Sequence, residues 1–413
     1  MQSIAQSWLV FTLTHSGVAV GGVVALQTLP ILLFGPIGGT IADRFGKYRI
    51  LFWTQSFAGF QALVLALLIL GGHIHLWEIY AVAFALGIIN MVDNPARQTF
   101  IIEMVGRDAL PNAVTLNAVM VNVARAIGPA VAGVLIALVG TGWCFAINAF
   151  SYLFVIFALI ALDKSKLTPT DRVTHMRGQL LEGFRYVAHF PLLRTALIMM
   201  GIIGCLTYEF QVSLPLIAGK TFHGSSITYG LLTSFMGGGS VIGGLLIAGR
   251  RSRNPKFIVE IAFLFGITVL LGAVAPVLWV EELVLIGIGA CSVAFMSLGN
   301  STLQLSSEPN MRGRVMSLWS VAFMGSSPIG APIVGATANL LGARASLGLG
   351  GIAALIAAGY GWFAFRNIAH TDRMSQRVQE SPIDPASEVE GALAGAVLEP
   401  LEVKSDPSSS SNG

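Results

Sequence analysis

The chain has 413 residues, of which 54% are hydrophobic and only 11% charged, and its mean hydropathy is +0.75. Soluble domains carry roughly 25% charged residues, so one water-soluble core of this length is excluded and a bilayer is the expected solvent. The net charge is +3, and the three cysteines (Cys144, Cys205, Cys291) lie inside apolar runs, which argues against a disulfide framework and against a zinc site.

Apolar runs of about 20 residues fall at 1–13, 18–41, 50–70, 76–93, 112–138, 143–162, 194–217, 228–249, 257–277, 283–304, 315–340 and 345–365. The first run opens at "MQSIAQSWLVFTLT" without the basic region or cleavage site of a signal peptide. At 1.5 Å per residue it reaches only about 20 Å, short of the roughly 30 Å hydrocarbon core. Residue 1 is therefore expected to lie inside a transmembrane helix whose start precedes this sequence.

If the first span exits to the outside, all but three of the 24 lysines and arginines lie on the cytoplasmic side. The exceptions are Lys220, Arg344 and Arg125, the last within a span. Such asymmetry fixes the orientation by the positive-inside rule and places the C-terminus in the cytoplasm. The reading divides the chain into a six-helix bundle at 1–162, a linker at 163–193, a second six-helix bundle at 194–366 and a tail at 367–413. In the linker, "RGQLLEGFRYVAHF" sets Leu180, Leu181, Phe184, Val187 and Ala188 at helical spacing. This predicts an amphipathic helix on the inner membrane surface or a solvated linker helix. The tail, rich in Ser and Pro and in acids, reads as disordered and cytoplasmic.

A shift of 202 residues aligns "AVTLNAV" (113–119) with "VMSLWSV" (315–321) and "AIGPAVAG" (126–133) with "PIGAPIVG" (328–335). Six spans repeated by six is the design of a transporter that rocks two bundles about a midplane site. Within the turn after the second span, "GGTIADRFGKYR" resembles the signature of the major facilitator superfamily, G-x-x-x-D-R-x-G-R/K-x-R/K. Gly39, Asp43, Arg44, Gly46, Lys47 and Arg49 all fit it. The resemblance implies a cytoplasmic latch that breaks on inward opening. In it Asp43 caps a facing helix and the basic residues pair with an acid ending helix 4, where Asp93, with Arg97 beside it, is available. The plainer reading is a tight turn carrying positive-inside charge, which accounts for Arg and Lys but not for Asp43.

"WLVFTLTHSG", "DNPARQTFIIEMVGRDALPNAVTLN" (93–117) and "NVARAIGPAVAG" (122–133) further resemble the transmembrane secretion effector branch of that superfamily, over about residues 1–366. "ARAIGPAVAG" is also partly similar to the Gly-Pro motif of antiporters; close packing by Gly128 and Gly133 explains it as well.

Arg125 and Glu209 are the ionisable residues placed well inside spans, at similar depth, and charge at that depth usually faces a cavity. They are expected to carry proton coupling as a pair, or to form a static bridge between helices 5 and 7. Asn90, Asn117, Asn122, Tyr208, Gln211, Asn300 and Gln304 are the candidates for the substrate cavity. His73 and His75 lack further ligands, and no nucleotide, HExxH or GxSxG motif is present, so neither metal, cofactor nor catalytic residue is expected.

The expected protein is thus an all-α membrane protein of the major facilitator fold in a bacterial inner (plasma) membrane, monomeric and binding no nucleic acid. It exports an amphipathic small molecule (a drug, siderophore or secondary metabolite) in exchange for protons by alternating access. The rivals are a metabolite importer on the same fold and, from another class, an intramembrane enzyme or lipid scramblase.

Overall fold

A computed structural model describes the backbone of residues 1–106, 109–167, 179–248 and 256–380. Within these it describes all side chains except those of 36–37, 39–40, 42–43, 111, 166, 179–181, 248, 324 and 367–380. The expected disordered tail therefore lies largely outside the described residues. Residues Met1–Phe365 form one compact unit and Arg366–Gly413 a second. No strand occurs among the described residues.

The first part of the chain forms α1 (Gln2–Thr14), α2 (Gly17–Arg44), α3 (Lys47–Leu70), α4 (Leu76–Val105) and α5 (Leu110–Ala161). The Ser16 side chain caps α2 by accepting from the Ala19 N–H. His75 and Glu78 cap α4 reciprocally, so its first orphan donors are met where the helix enters the apolar region. Spans five and six appear as the single run α5, folded back at Gly140, whose φ of 84° and ψ of 167° suit glycine.

The remainder comprises α6 (Gln179–His189), α7 (Pro191–Leu206), α8 (Phe210–Leu216), α9 (Ser226–Ala248), α10 (Lys256–Ala273), α11 (Leu278–Leu305), α12 (Arg312–Met324), α13 (Ser327–Leu340) and α14 (Ala343–Glu380). Span seven breaks at Thr207–Glu209 between α7 and α8, then passes into a π-helical turn at Ile217–Thr221. Span eleven breaks between α12 and α13, and α14 runs on past residue 367, where the sequence reading begins the tail. Among the described residues, ten helical segments are long and apolar enough to cross a membrane. Twelve were expected; α1 has 13 residues, and spans five and six count as one.

The spans alternate in direction, so the chain has a basic end, carrying Arg44, Lys47, Arg49, Arg312 and Arg314, and a far end. α2 packs on α4, α3 on α5 and α4, and α9 and α10 on α11. The early and late helices meet chiefly through α2 with α13, α5 with α9, and α1 with α8.

At the far end these seams are tight. The Gly17 N–H donates to Asn339 Oδ1 (2.6 Å), and Asn339 Nδ2 donates to Ser16 Oγ (2.9 Å). Ser226 Oγ donates to the Gly133 carbonyl at 2.9 Å. A Cβ on Gly133 would stand 2.5 Å from the Ser226 carbonyl, and one on Gly335 would stand 2.2 Å from that of Gly17. The two glycines are 202 residues apart, so the internal repeat places equivalent close contacts on both seams. Gly128, by contrast, has nothing within 4 Å of such an atom.

Toward the basic end the seams part. Leu116 and Met120, on the first turns of α5, are 62% and 64% exposed, and Val114 to Val121 are exposed throughout. Trp8 and Tyr229, near the far end, are 7% and 1% exposed and stack on one another. The helices are joined at one end and spread at the other.

The linker helix forms where the amphipathic pattern predicts one, and one of its faces packs on neighbouring helices. Val187 is buried against Leu193, Ala196, Leu303, Val315 and Leu318. Arg314 pairs with Glu182 at 2.6 Å, and the Glu308 N–H donates to the Tyr186 hydroxyl at 3.2 Å. Phe184 is left exposed. One face of α6 thus docks on α7 and α12, because Gly183 and Val187 offer a surface small enough to seat against Leu318.

Candidate functional site

The basic turn is the first cluster of functional candidates. Gly46 caps α3 at φ −60°, with nothing near a Cβ built there, so neither conformation nor close packing demands glycine at this position. Arg44 and Arg49 are exposed. The backbone of Gly39 and Asp43 is helical, but their side chains lie outside the described residues. Beside them α2 meets α4 closely: a Cβ on Gly38 would stand 2.4 Å from the Met91 carbonyl.

The pairing expected between this turn and Asp93 does not form. Lys47 Nζ reaches Glu103 Oε1 at 2.6 Å instead. Asp93, 1% exposed, accepts from Thr54 Oγ1 at 2.6 Å and from Gln55 Nε2 at 2.8 Å, and its other oxygen pairs with Arg97 one turn on. The cause is helix length. The apolar run ends at residue 93, but α4 continues to Val105, so Asp93 lies three turns inside the helix and Glu103 takes the terminal position. Both ion pairs join α3 or α4 to α4 alone, and both are intact with the basic end spread.

The membrane-embedded charges are also redistributed. Glu209 sits in the break between α7 and α8, 3% exposed, with Oε1 unpartnered and the Ser327 hydroxyl beside it. Arg125 is exposed on α5, and its carbonyl stands where a Cβ on Gly237 of α9 would lie at 2.5 Å. Among the described residues no ion pair joins Arg125 to Glu209. Equal depth did not bring them together: Arg125 is exposed and Glu209 buried.

Sequence reasoning missed Glu281. It is 1% exposed in the first turn of α11, and neither carboxylate oxygen has a hydrogen-bond partner. Arg344 is the charge acting on it, but its guanidinium is directed to the Ala275 carbonyl. The signal was present as "VEEL", but trimming the span to its apolar part, 283–304, left both glutamates outside.

Of the cavity candidates, Tyr208 donates to the Ser292 carbonyl at 2.5 Å, and its ring meets those of Phe210, Phe265 and Phe323. It ties the α7–α8 break to α11. Gln304 donates to Asn300 along α11 at 2.7 Å. Asn117 and Gln211 are exposed, while Asn90 and Asn122 are half-buried. A second polar set was not anticipated: Gln27 donates to Gln6 at 2.6 Å and Asn148 to Gln2 at 3.2 Å. No group of three or more His, Cys, Asp or Glu suited to a metal occurs among the described residues.

A multi-pass bundle of apolar helices, with early and late helices joined at one end and a carboxylate buried at the α7–α8 break, has the architecture of a membrane transporter of the major facilitator type. The family model for transmembrane secretion effectors matches residues 1–399, and the chain belongs to that family. The staphyloferrin A transporter of Staphylococcus aureus (strain NCTC 8325 / PS 47) is 25% identical over 85% of this chain and 89% of its own length. The enterobactin exporter of Salmonella typhimurium (strain LT2) is 25% identical, covering 83% of each chain. Among solved structures, a bacterial homologue of the human lysosomal transporter Spinster, inward-facing and unoccupied, superposes with a TM-score of 0.69 at 13% identity. It covers 88% of this chain and 94% of that one. A peptide transporter in complex with sulfate gives 0.70 at 13% identity, over 88% and 91%. These likenesses carry the fold. The family is one of transporters, not enzymes.

Proposed function

We propose that this protein exports an amphipathic small molecule of siderophore-like chemistry across a bacterial plasma membrane, driven by protons, with the basic end and the C-terminus cytoplasmic. The observation that carries the reading is the seam geometry: tight Gly133–Ser226 and Gly17–Asn339 contacts at the far end, with α5 bare at the basic end. That arrangement is one access state of a carrier whose bundles, 1–162 and 194–366, rock about their shared seams. The lysine and arginine asymmetry supports calling the spread end cytoplasmic. The names of the relatives support the cargo class. The chain works as a monomer, one chain supplying both bundles.

Glu209 is the proton-coupling group in this reading. A buried carboxyl with one oxygen unpartnered has room for a proton, and it lies in the α7–α8 break that moves when the seams exchange. Arg125 comes to meet it in the opposite access state. Asp43 alone remains to act as the latch between bundles, since Lys47–Glu103 and Arg97–Asp93 each lie within one bundle. Asp43→Asn should favour the cytoplasm-open state and depress transport with insertion intact.

The test is accumulation of a labelled siderophore or a hydrophobic drug in cells expressing the full chain, with and without a protonophore. An exporter lowers accumulation, and the protonophore restores it. Raised accumulation would establish the importer reading, and export indifferent to the protonophore would remove the proton.

A further inference from the structure

The exposed residues of α3 have no role in the export reading. Arg49, Trp53 and Phe57 succeed one another at four-residue spacing on a single face, and all three are exposed. α3 packs chiefly on α4 and α5, so this face looks outward from the bundle. With Ile88 and Val92 of α4 they line a groove of about 400 Å³ that reaches the turn at Phe45 and Gly46. Trp53 and Phe57 stack at 6.0 Å between centroids and form one wall.

The groove has a polarity. Its one charged lining residue is Arg49, in the first turn of α3 at the basic end. Below it the lining is aromatic and aliphatic for two turns apart from Thr54, whose hydroxyl is turned to Asp93. From Arg49 to Phe57 is about 12 Å at 1.5 Å per residue, most of the roughly 15 Å depth of one leaflet's hydrocarbon. Arg44 is exposed in the same turn, and Glu103 and Asp93 are engaged, by Lys47 and by Arg97. A cation over an apolar trench one leaflet deep is complementary to a phosphate joined to an acyl chain.

We propose that this groove is a binding site for an anionic phospholipid of the leaflet at the basic end, its headgroup on Arg49 and one acyl chain along Trp53 and Phe57. The site touches the structure behind it: Thr54, in the groove lining, is the residue whose hydroxyl is held by Asp93. A bound chain therefore presses on the α3–α4 seam, independently of whatever the carrier exports.

The test uses the full chain in phosphatidylcholine vesicles containing an equal small fraction of either phosphatidylglycerol or phosphatidylcholine with brominated acyl chains. Trp53 fluorescence is isolated by subtracting the Trp53→Phe variant. One Arg beside an anionic lipid supports about a fivefold preference, so Trp53 should be quenched about fivefold more effectively by the brominated anionic lipid. Arg49→Gln should abolish that preference and Arg49→Lys should keep it. Ile89→Phe, which fills the groove without altering charge, should reduce quenching by both lipids and serves if Arg49→Gln does not insert. Equal quenching by the two lipids in the unsubstituted protein would overturn the proposal, as would a preference surviving Arg49→Gln or quenching untouched by Ile89→Phe. Relief of quenching by inorganic phosphate or by the exported solute would assign the groove to that ligand instead.

Discussion

Asp93 and the pair Glu209 and Glu281 are all carboxylates with at most 3% of their surface exposed, yet they are treated differently. Asp93 is met from every side, by Thr54, Gln55 and Arg97. Glu209 has a bare oxygen and Glu281 has two. A buried polar atom without a partner costs roughly 1–3 kcal/mol, and more when charged. A chain that satisfies one acid fully has no general inability to satisfy the others. The difference divides the molecule into a part whose charge is locked in place and a part whose carboxyls are left open to change, and the open ones belong to the later helices.

The comparison breaks most readily at Asp93. Asp93→Ala removes the acceptor of the buried Gln55 amide on α3, while the Thr54 hydroxyl keeps the Leu51 carbonyl and Arg97, its side chain 59% exposed, keeps water. Leaving a buried donor without its acceptor costs about 1–3 kcal/mol, a large share of a membrane bundle's margin. The expected outcome is a sharply lower yield and thermal midpoint in detergent, with no selective change in proton dependence. A stable Asp93→Ala protein with altered pH dependence would move Asp93 from the locked class to the open one.

Glu209→Gln is next in size and should behave in the reverse manner. The amide keeps the shape and leaves the fold intact, so stability should hold while concentrative export under a pH gradient falls about tenfold or more. Solute exchange without a gradient should persist. A Glu209→Gln carrier that still concentrates solute when given a pH difference would end its role as the coupling group.

These two residues also mark how far the sequence was legible. Span positions, the basic turn and the repeat follow from hydropathy and charge, and the structure places helices at each. Pairing did not follow, because the apolar run stops at residue 93 while α4 persists to Val105. Asp93 was therefore assigned a helix-end role that Glu103 holds. Glu281 was lost at the opposite kind of boundary, trimmed from a helix that begins at Leu278. An Arg125–Glu209 pair was not legible either: depth is countable along a sequence, but the rotation of each helix is set by close packing of residues such as Gly133 and Gly237. The α7–α8 break carried no glycine or proline at Thr207–Glu209 to announce it.

A smaller effect is expected at Lys47 and Glu103, whose side chains are 11% and 13% exposed. A double-mutant cycle with Lys47→Met and Glu103→Gln should give a coupling of about 1 kcal/mol in thermal stability. Because the pair joins α3 to its neighbour α4 and reaches no later helix, cysteine accessibility at the basic end should not change. A shift in accessibility equal to that of Asp43→Asn would make this pair part of the latch.

The smallest effect, and the sharpest test of the contrast, is expected at Glu281. Two terms oppose one another there. The first turn of α11 favours a negative charge, by about 0.3–1 kcal/mol, and Arg344 adds attraction without a direct contact. Against them stands the removal of a carboxylate from water, several kcal/mol in a protein interior even after relaxation, with neither oxygen hydrogen-bonded. The cost of burial exceeds the gains, so replacing the carboxyl by an uncharged group of the same shape should lose nothing. Glu281→Gln should unfold at the same temperature as the unsubstituted protein or a higher one, while Asp93→Ala falls well below it. If Glu281→Gln is destabilised as strongly as Asp93→Ala, then Arg344 holds Glu281 as a working ion pair. In that case the later helices satisfy their carboxylates as the earlier ones do, and the open class reduces to Glu209.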